Sequence, residues 1–350
     1  MKKNSSMNRR GFLKSVSTVA AGAAVLSSTD ADAKAPKGKK IKSTGDIPLR
    51  RFGKTEEMLP VLGHGGSAMV NSWAAAYNVK LPSIEERATM VRRAYDVGVR
   101  YFDTARVYSE SESIMGTALS DVRDDIFLAT KVADPRPTET RASVEKSLSD
   151  LKTDYIDLIQ IHSPAIEMRG PDNAMKMFEE LAKLRDEGMV RFIGLTTHVA
   201  FESVYKMIDT GNFDQVLMAL GYFKKGMDMM LSEPNLEWRE KCMARATELD
   251  MAVTAMKVMG LNVLGQGNRN VIADYDETKR AMLPQAAIKF ALNDERIHML
   301  NIGMSTPSDI EDNLKIIKGD LEYTSEDRML LADFTSQAYK SDFVKALKTV

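Results

Sequence analysis

Ile156-Asp157-Leu158-Ile159-Gln160-Ile161-His162 reads as a buried parallel strand, a short run dominated by branched apolar residues. Downstream, Asn173–Asp186 sets Ala174, Met177, Phe178, Leu181 and Leu184 at helical spacing, and Gly188 stands where such a helix stops. Val190–Leu195 is then a second apolar strand. Strand, amphipathic helix and strand make a crossover unit, which runs its two strands parallel. The same alternation extends both ways. Upstream candidate strands are Val61–His64, Val99–Asp103 and Ile126–Lys131; downstream ones are Gln215–Ala219, Ala252–Ala255 and Ile297–Ile302. Ser83 is placed to cap a helix over Glu85–Asp96, and Thr138 one that runs to Leu151. Eight strands alternating with helices predict an α/β fold closed as a (β/α)8 TIM barrel. An open doubly wound sheet would carry Gly-x-Gly-x-x-Gly after its first strand, and Gly63-His64-Gly65-Gly66 is not that turn. Leu49–Thr55 and Met58–Val61 predict an N-terminal β-hairpin that plugs one end. Pro307–Ile317 and Ser325–Leu347 predict extra C-terminal helices. Residues 46–350 are therefore expected to form one barrel domain.

Composition narrows the function classes. The 350 residues are 44% hydrophobic and 28% charged, as in soluble globular proteins. The 48 Lys and Arg balance 49 Asp and Glu, which argues against a nucleic-acid partner. The single cysteine, Cys242, excludes an intramolecular disulfide, an iron–sulfur cluster and a multi-cysteine zinc site. The 23 methionines read as core filling.

The first residues read as an address. Asn8-Arg9-Arg10-Gly11-Phe12-Leu13-Lys14 pairs arginines ahead of an apolar residue and a lysine, and an uncharged run from Val16 to Leu26 follows. That run is too short to span a bilayer, so no stable membrane anchor is expected after cleavage. Ala31-Asp32-Ala33 supplies a small-residue exit. Residues 1–33 are thus expected to be a cleaved twin-arginine (Tat) export signal that engages the Tat machinery and delivers a folded protein to the periplasm. Asn8 replaces the usual Ser or Thr. Residues 34–45, with Lys, Gly, Pro and Ser, read as a flexible linker. Without the signal, 43 basic and 47 acidic residues remain, a net charge of −4.

Barrel chemistry sits where strands end. The second strand ends in Phe102-Asp103-Thr104-Ala105, with Tyr108 five residues after Asp103; the third ends in Thr130-Lys131; the fourth ends in His162. A carbonyl that accepts hydride needs a proton for its oxygen. A tyrosine is a slow donor at its ordinary pKa near 10, and an adjacent ammonium lowers that pKa. Asp103 would hold Lys131 charged, and a neutral His162 would orient the carbonyl.

At these residues the chain resembles the aldo/keto reductase family, over about residues 47–318. The resemblance is carried by Tyr101-Phe102-Asp103-Thr104-Ala105-Arg106-Val107-Tyr108 with Glu112 and Gly116, and by Ala129-Thr130-Lys131. It continues through Ser147-Leu148 and Asp154-Tyr155-Ile156-Asp157-Leu158 to His162, and through Gly188–Leu195, Met256-Lys257, Ile302-Gly303-Met304-Ser305 and Asp312-Asn313. It implies a carbonyl reductase that uses NADP or NAD, with NADP preferred, no metal, and a small-molecule aldehyde or ketone as substrate. Tyr108 would be the acid–base, Lys131 and Asp103 would tune it, and His162 would orient the carbonyl. Gly66, Thr196, Thr197, Lys257, Gly303, Ser305, Asp309, Asp312 and Asn313 take the dinucleotide positions. The helix near Pro307 would offer free N–H groups to an anion, and the loop from Lys257 through Gly260, Gly265 and Gly267 would cover a pyrophosphate.

Three departures touch the nicotinamide end. Thr196-Thr197 replace Ser-Asn, Leu217 stands near a usual Gln, and Gly221 stands near a usual Asn. They motivate an alternative, a dinucleotide-binding sensor with little turnover on the same fold. A metal-dependent hydrolase built on His64, His162, His198 and Asp103 lacks ligand spacing such as His-x-x-x-His. Trp73 and Tyr77 in the long first loop, and Tyr222 and Phe223, are candidate pocket walls.

Overall fold

The computed structural model describes residue 41 and residues 47–70, 81–227 and 229–350. The expected signal, the linker apart from Ile41, and Trp73 and Tyr77 lie outside the described residues. β1 (Leu49–Arg51) and β2 (Met58–Pro60) pair antiparallel as the expected hairpin. The chain continues through β3 (Leu62–Gly65), α1 (Ile84–Asp96), β4 (Tyr101–Asp103), α2 (Ser111–Leu119), β5 (Phe127–Val132) and α3 (Thr140–Leu151). Next come β6 (Ile156–Ile161), α4 (Ser163–Asp186), β7 (Val190–Thr197), α5 (Phe201–Ile208), β8 (Gln215–Ala219), β9 (Met229–Met230) and α6 (Glu233–Glu248). β10 (Ala252–Met256), α7 (Glu277–Leu292), β11 (Met299–Ile302), α8 (Pro307–Lys318), α9 (Ser325–Ala338), α10 (Asp342–Lys345) and β12 (Lys348–Thr349) complete it.

β3 to β8, β10 and β11 close into a parallel ring, with β11 paired back onto β3. This is the expected (β/α)8 barrel, and it excludes the open sheet. Register sets the inner face. Tyr101 lies opposite Phe127, Asp103 opposite Ala129, and Lys131 opposite Gln160. Alternation along each strand puts these side chains on one face.

At one end that face is apolar. Phe52, Leu59, Tyr101, Phe127, Ala129, Leu158, Ala252 and Met299 form a buried cluster under the hairpin. Phe52 packs 5.8 Å from the Phe127 ring and 6.1 Å from Tyr101. The next residue has to be small and left-handed. Gly53 has φ +55°, and a Cβ there would lie 2.5 Å from Ala252 N. The outer strand faces and the helices share a second, larger core.

Local signals decide the helix ends. Ser83 and Glu86 form a capping box on α1. Gly188 takes φ +81° after α4. Thr138 does not cap α3; Pro137–Glu139 make a 3-10 turn first. α4 begins ten residues before its expected start, because Ser163–Arg169 already coil and Gly170 (φ +75°) and Pro171 mark a kink. The last helical stretch breaks at Tyr339–Ser341 into α9 and α10, and β12 then pairs with β9. Among the described residues no helix is long and apolar enough to cross a membrane.

Candidate active site

The segment after β4 is fixed before its side chains are considered. Thr104 N donates to Ala129 O (2.9 Å) and Arg106 N to Lys131 O (3.1 Å), so the chain keeps following β5. Tyr108 N then donates to Ala105 O at 2.9 Å, Ser111 N to Tyr108 O at 2.8 Å, and Ser109 adopts φ +42°. Arg106 anchors the turn on Glu112 and on Asp150 (2.7 Å). The result brings the four expected residues together. Lys131 Nζ lies 5.2 Å from the centre of the Tyr108 ring, and the His162 ring stands edge-on to it at 5.7 Å and 81°. Lys131 Nζ donates to the Asp103 carboxylate and, at 2.6 Å, to Thr104 O. His162 is held by its own N–H, which donates to Val132 O at 2.9 Å.

The electrostatics differ in part from expectation. Burial raises the Tyr108 phenol above its ordinary value; Lys131 pulls it down and Asp103 pushes it up. The lysine opposes desolvation without overcoming it, so the phenol lies above rather than below its ordinary value, contrary to the expected lowering. Burial, with help from Lys131 and Lys257, holds His162 well below the usual histidine range, so it is neutral at pH 7. His198 is depressed in the same way, by burial first and then by Lys257 and His162. Cys242 is buried and its thiol is pushed up to about 12, which leaves it inert.

The nine residues expected at the dinucleotide divide into groups. Gly66 is explained by packing, since a Cβ would lie 2.5 Å from Ser111 Oγ. Thr196 Oγ1 is occupied, accepting from Ser163 N at 2.9 Å. Thr197 Oγ1, His162 Nδ1 and His198 Nδ1 are buried polar atoms with no hydrogen-bond partner. Lys257 follows β10 in a left-handed conformation (φ +60°), and Gly260, Leu261 and Asn262 after it also have positive φ, so the chain turns tightly there. Gly303 is exposed, and a Cβ there would meet Ala68 Cβ at 2.7 Å. Asp312 is exposed and Asn313 buried. At the start of α8 one first-turn N–H is already taken: Asp309 N donates to Thr306 Oγ1 at 3.2 Å, the N-cap bond of a capping box. Just ahead of the helix, Ser305 N (2.8 Å) and Thr306 N (2.9 Å) donate to the Asp309 carboxylate, which sets a negative charge in the first turn.

Two residues without a sequence-based assignment join the site. Gln160 Nε2 and Asn301 Nδ2 donate to Asp103 at 2.7 and 2.9 Å. Gln160 stands two residues before His162 on β6, so strand alternation already pointed it inward. Nothing in the residues around Asn301 gave its partner. His64 stacks on Phe102 at 6.0 Å, and among the described residues no group of three or more His, Cys, Asp or Glu is arranged to hold a metal.

Residues 62–329 match the aldo/keto reductase family. The chain belongs to that family. This aldo/keto reductase is 25% identical over 307 residues to L-galactose dehydrogenase of Arabidopsis thaliana, covering 82% of this chain and 93% of the relative. It is 31% identical over 151 residues to an uncharacterized oxidoreductase of Bacillus subtilis, a match spanning 39% of this chain and 48% of that relative. Its fold resembles an aldo-keto reductase of Bacillus halodurans in holo form (TM-score 0.64, 20% identity, 82% of this chain and 96% of the other). It also resembles an aldo/keto reductase of Klebsiella pneumoniae in complex with NADP and acetate (TM-score 0.60, 17% identity, 82% and 95%).

Proposed function

We propose that this aldo/keto reductase reduces an aldehyde or ketone with a nicotinamide dinucleotide. The observation that carries the reading is the Tyr108 ring within 5.2 Å of Lys131 Nζ and 5.7 Å of the His162 ring, with Asp103 bonded to Lys131. A dinucleotide suits the residues at this end. Thr197 Oγ1, His162 Nδ1 and His198 Nδ1 lack partners, and a carboxamide carries both a donor and an acceptor. Lys257 would supply positive charge to a pyrophosphate. When bound, a reduced nicotinamide supplies the hydride.

The chain's own residues would do the rest. Neutral His162 hydrogen-bonds the carbonyl oxygen and fixes its angle. Tyr108 donates its phenolic proton to that oxygen as charge develops. Lys131 stabilises the phenolate left behind, and Asp103 keeps Lys131 in place. The field of Lys131 counts most at that moment, because burial alone opposes phenolate formation. Asp309 faces the region expected to meet the adenosine end. Its carboxylate repels a 2′-phosphate, so this chain's residues support NADH over the NADPH that the family resemblance favours.

Steady-state assays with NADH or NADPH and a panel of aldehydes, ketones and aldoses test the reading. Tyr108→Phe should lower kcat about 10³-fold; full activity in that variant would end its assignment as proton donor. Dinucleotide retained without multiple turnover would select the sensor reading instead. We further propose that residues 1–33 export the protein to the periplasm by the Tat route, on the strength of Arg9, Arg10 and the small-residue exit. Cell fractionation checks this: replacing both arginines by lysine should leave the precursor in the cytoplasm.

A further inference from the structure

Asp103 meets more than one donor. Lys131 Nζ and Asn301 Nδ2 (2.9 Å) both donate to Asp103 Oδ1, and Gln160 Nε2 donates to Oδ2 at 2.7 Å. An ionised carboxylate only accepts hydrogen bonds, so both amides must turn their NH2 groups toward it. Their own oxygens, Gln160 Oε1 and Asn301 Oδ1, are left buried without partners. Unpaired buried acceptors are costly, and here both lie on amides that bond Asp103. The donors also come from separate parts of the ring: Gln160 from β6 and Asn301 from β11, the strand that closes onto β3.

We propose that Gln160 and Asn301 are positioning residues that spread the Asp103 charge over three donors, so that Lys131 keeps more of its own charge for Tyr108. Without the two amides, Lys131 would be the main partner of Asp103. The ion pair would tighten, and the net field at the Tyr108 ring would fall. Other charged and titratable groups surround this arrangement. His162 stands just after β6, and His198 after β7 and Lys257 after β10 are close enough to act on its charge or to be acted on by it. Arg106, on the same loop as Tyr108, is paired with Glu112 and Asp150, and Glu110 with Arg87. Tyr101 shares β4 with Asp103 and its hydroxyl is buried without a partner. Of these groups, Lys131 is the cation placed over the Tyr108 ring.

The catalytic consequence rests on the reductase reading, whereas the link from Gln160 and Asn301 to Tyr108 is measurable without turnover. A ring-difluorinated tyrosine at position 108 of the full-length, cofactor-free protein ionises nearer neutrality, and fluorine NMR reads its midpoint. Gln160→Leu and Asn301→Leu should each raise that midpoint by about half a pH unit or more. In carbonyl reduction by the unlabelled variants, the alkaline limb of the kcat profile should move by a similar amount, with kcat falling about threefold or more and KM little changed. A midpoint unmoved in folded variants overturns the proposal. If Gln160→Leu does not fold, Asn301→Leu at its partly exposed position decides alone. Midpoints that move in a protein that reduces no carbonyl would remove the reductase reading and leave the link from Gln160 and Asn301 to Tyr108 standing.

Discussion

The two ends of the barrel are made by the same strands and differ by one or two steps of the pleat. On β4, Tyr101 belongs to the apolar plug and Asp103 to the polar mouth; on β5 the pair is Phe127 and Lys131; on β6 it is Leu158 and Gln160. All of them face the axis, so depth along the strand, rather than orientation, separates packing from chemistry. The plug end is free to maximise apolar contact because nothing has to enter there. The mouth holds desolvated ionisable groups, whose burial costs stability.

Phe52→Ala is the strongest test of that division. The ring is fully buried among Tyr101, Phe127 and His298, so its loss should cost about 3–5 kcal/mol in denaturant unfolding. Activity per folded molecule should stay within about twofold if the ends are independent. A fall in specific activity of the folded variant matching its loss of stability would break the comparison.

His64 tests the outer face of the same strands, where it lies in register with Phe102. It is fully buried, both ring nitrogens lack partners, and burial pulls its pKa down to about 4. The folded value lies below the unfolded one, so the unfolded chain takes up the proton first as pH falls. This contribution is complete above about pH 6.5 and is lost progressively down to about pH 4, a swing of about 3 kcal/mol. Denaturation at pH 7 and pH 4.5 should show a smaller acid loss in His64→Phe than in the wild-type chain. Equal losses would place the acid sensitivity elsewhere, with His162 and His198 the next groups to examine.

The smallest expected effect lies at the start of α8. Asp309→Asn removes the negative charge bonded to Ser305 N and Thr306 N. Titration calorimetry should show the ratio of NADPH to NADH affinity rising about tenfold. An unchanged ratio would mean that the 2′ position does not approach this helix.

The barrel was legible because parallel strands buried on both faces write themselves as apolar runs. Gln215–Ala219 coincides with β8, and the other barrel strands fall within two residues of their expected bounds. That Asp103, Tyr108, Lys131 and His162 would meet was legible because they stand near or after the ends of neighbouring strands. What escaped notice depends on contacts between distant segments. Asn301 meets Asp103 across 198 positions of chain, which no local pattern encodes. Asp309 was read as part of an open helix end, although Thr306 three residues earlier completes a capping box with it. The start of α4 was missed because Gly170 and Pro171 resemble a boundary and act as a kink.

The seam between β11 and β3 has a temporal meaning. Leu300 pairs with Leu62 and Ile302 with His64, so the first and last staves of the ring meet only after nearly all of the intervening chain has been made. A nascent polypeptide halted before Met299 lacks both that closure and the amide of Asn301. On the ribosome, the full set of donors around Asp103 should therefore assemble late and abruptly, as a property of the finished circle rather than of any arc of it.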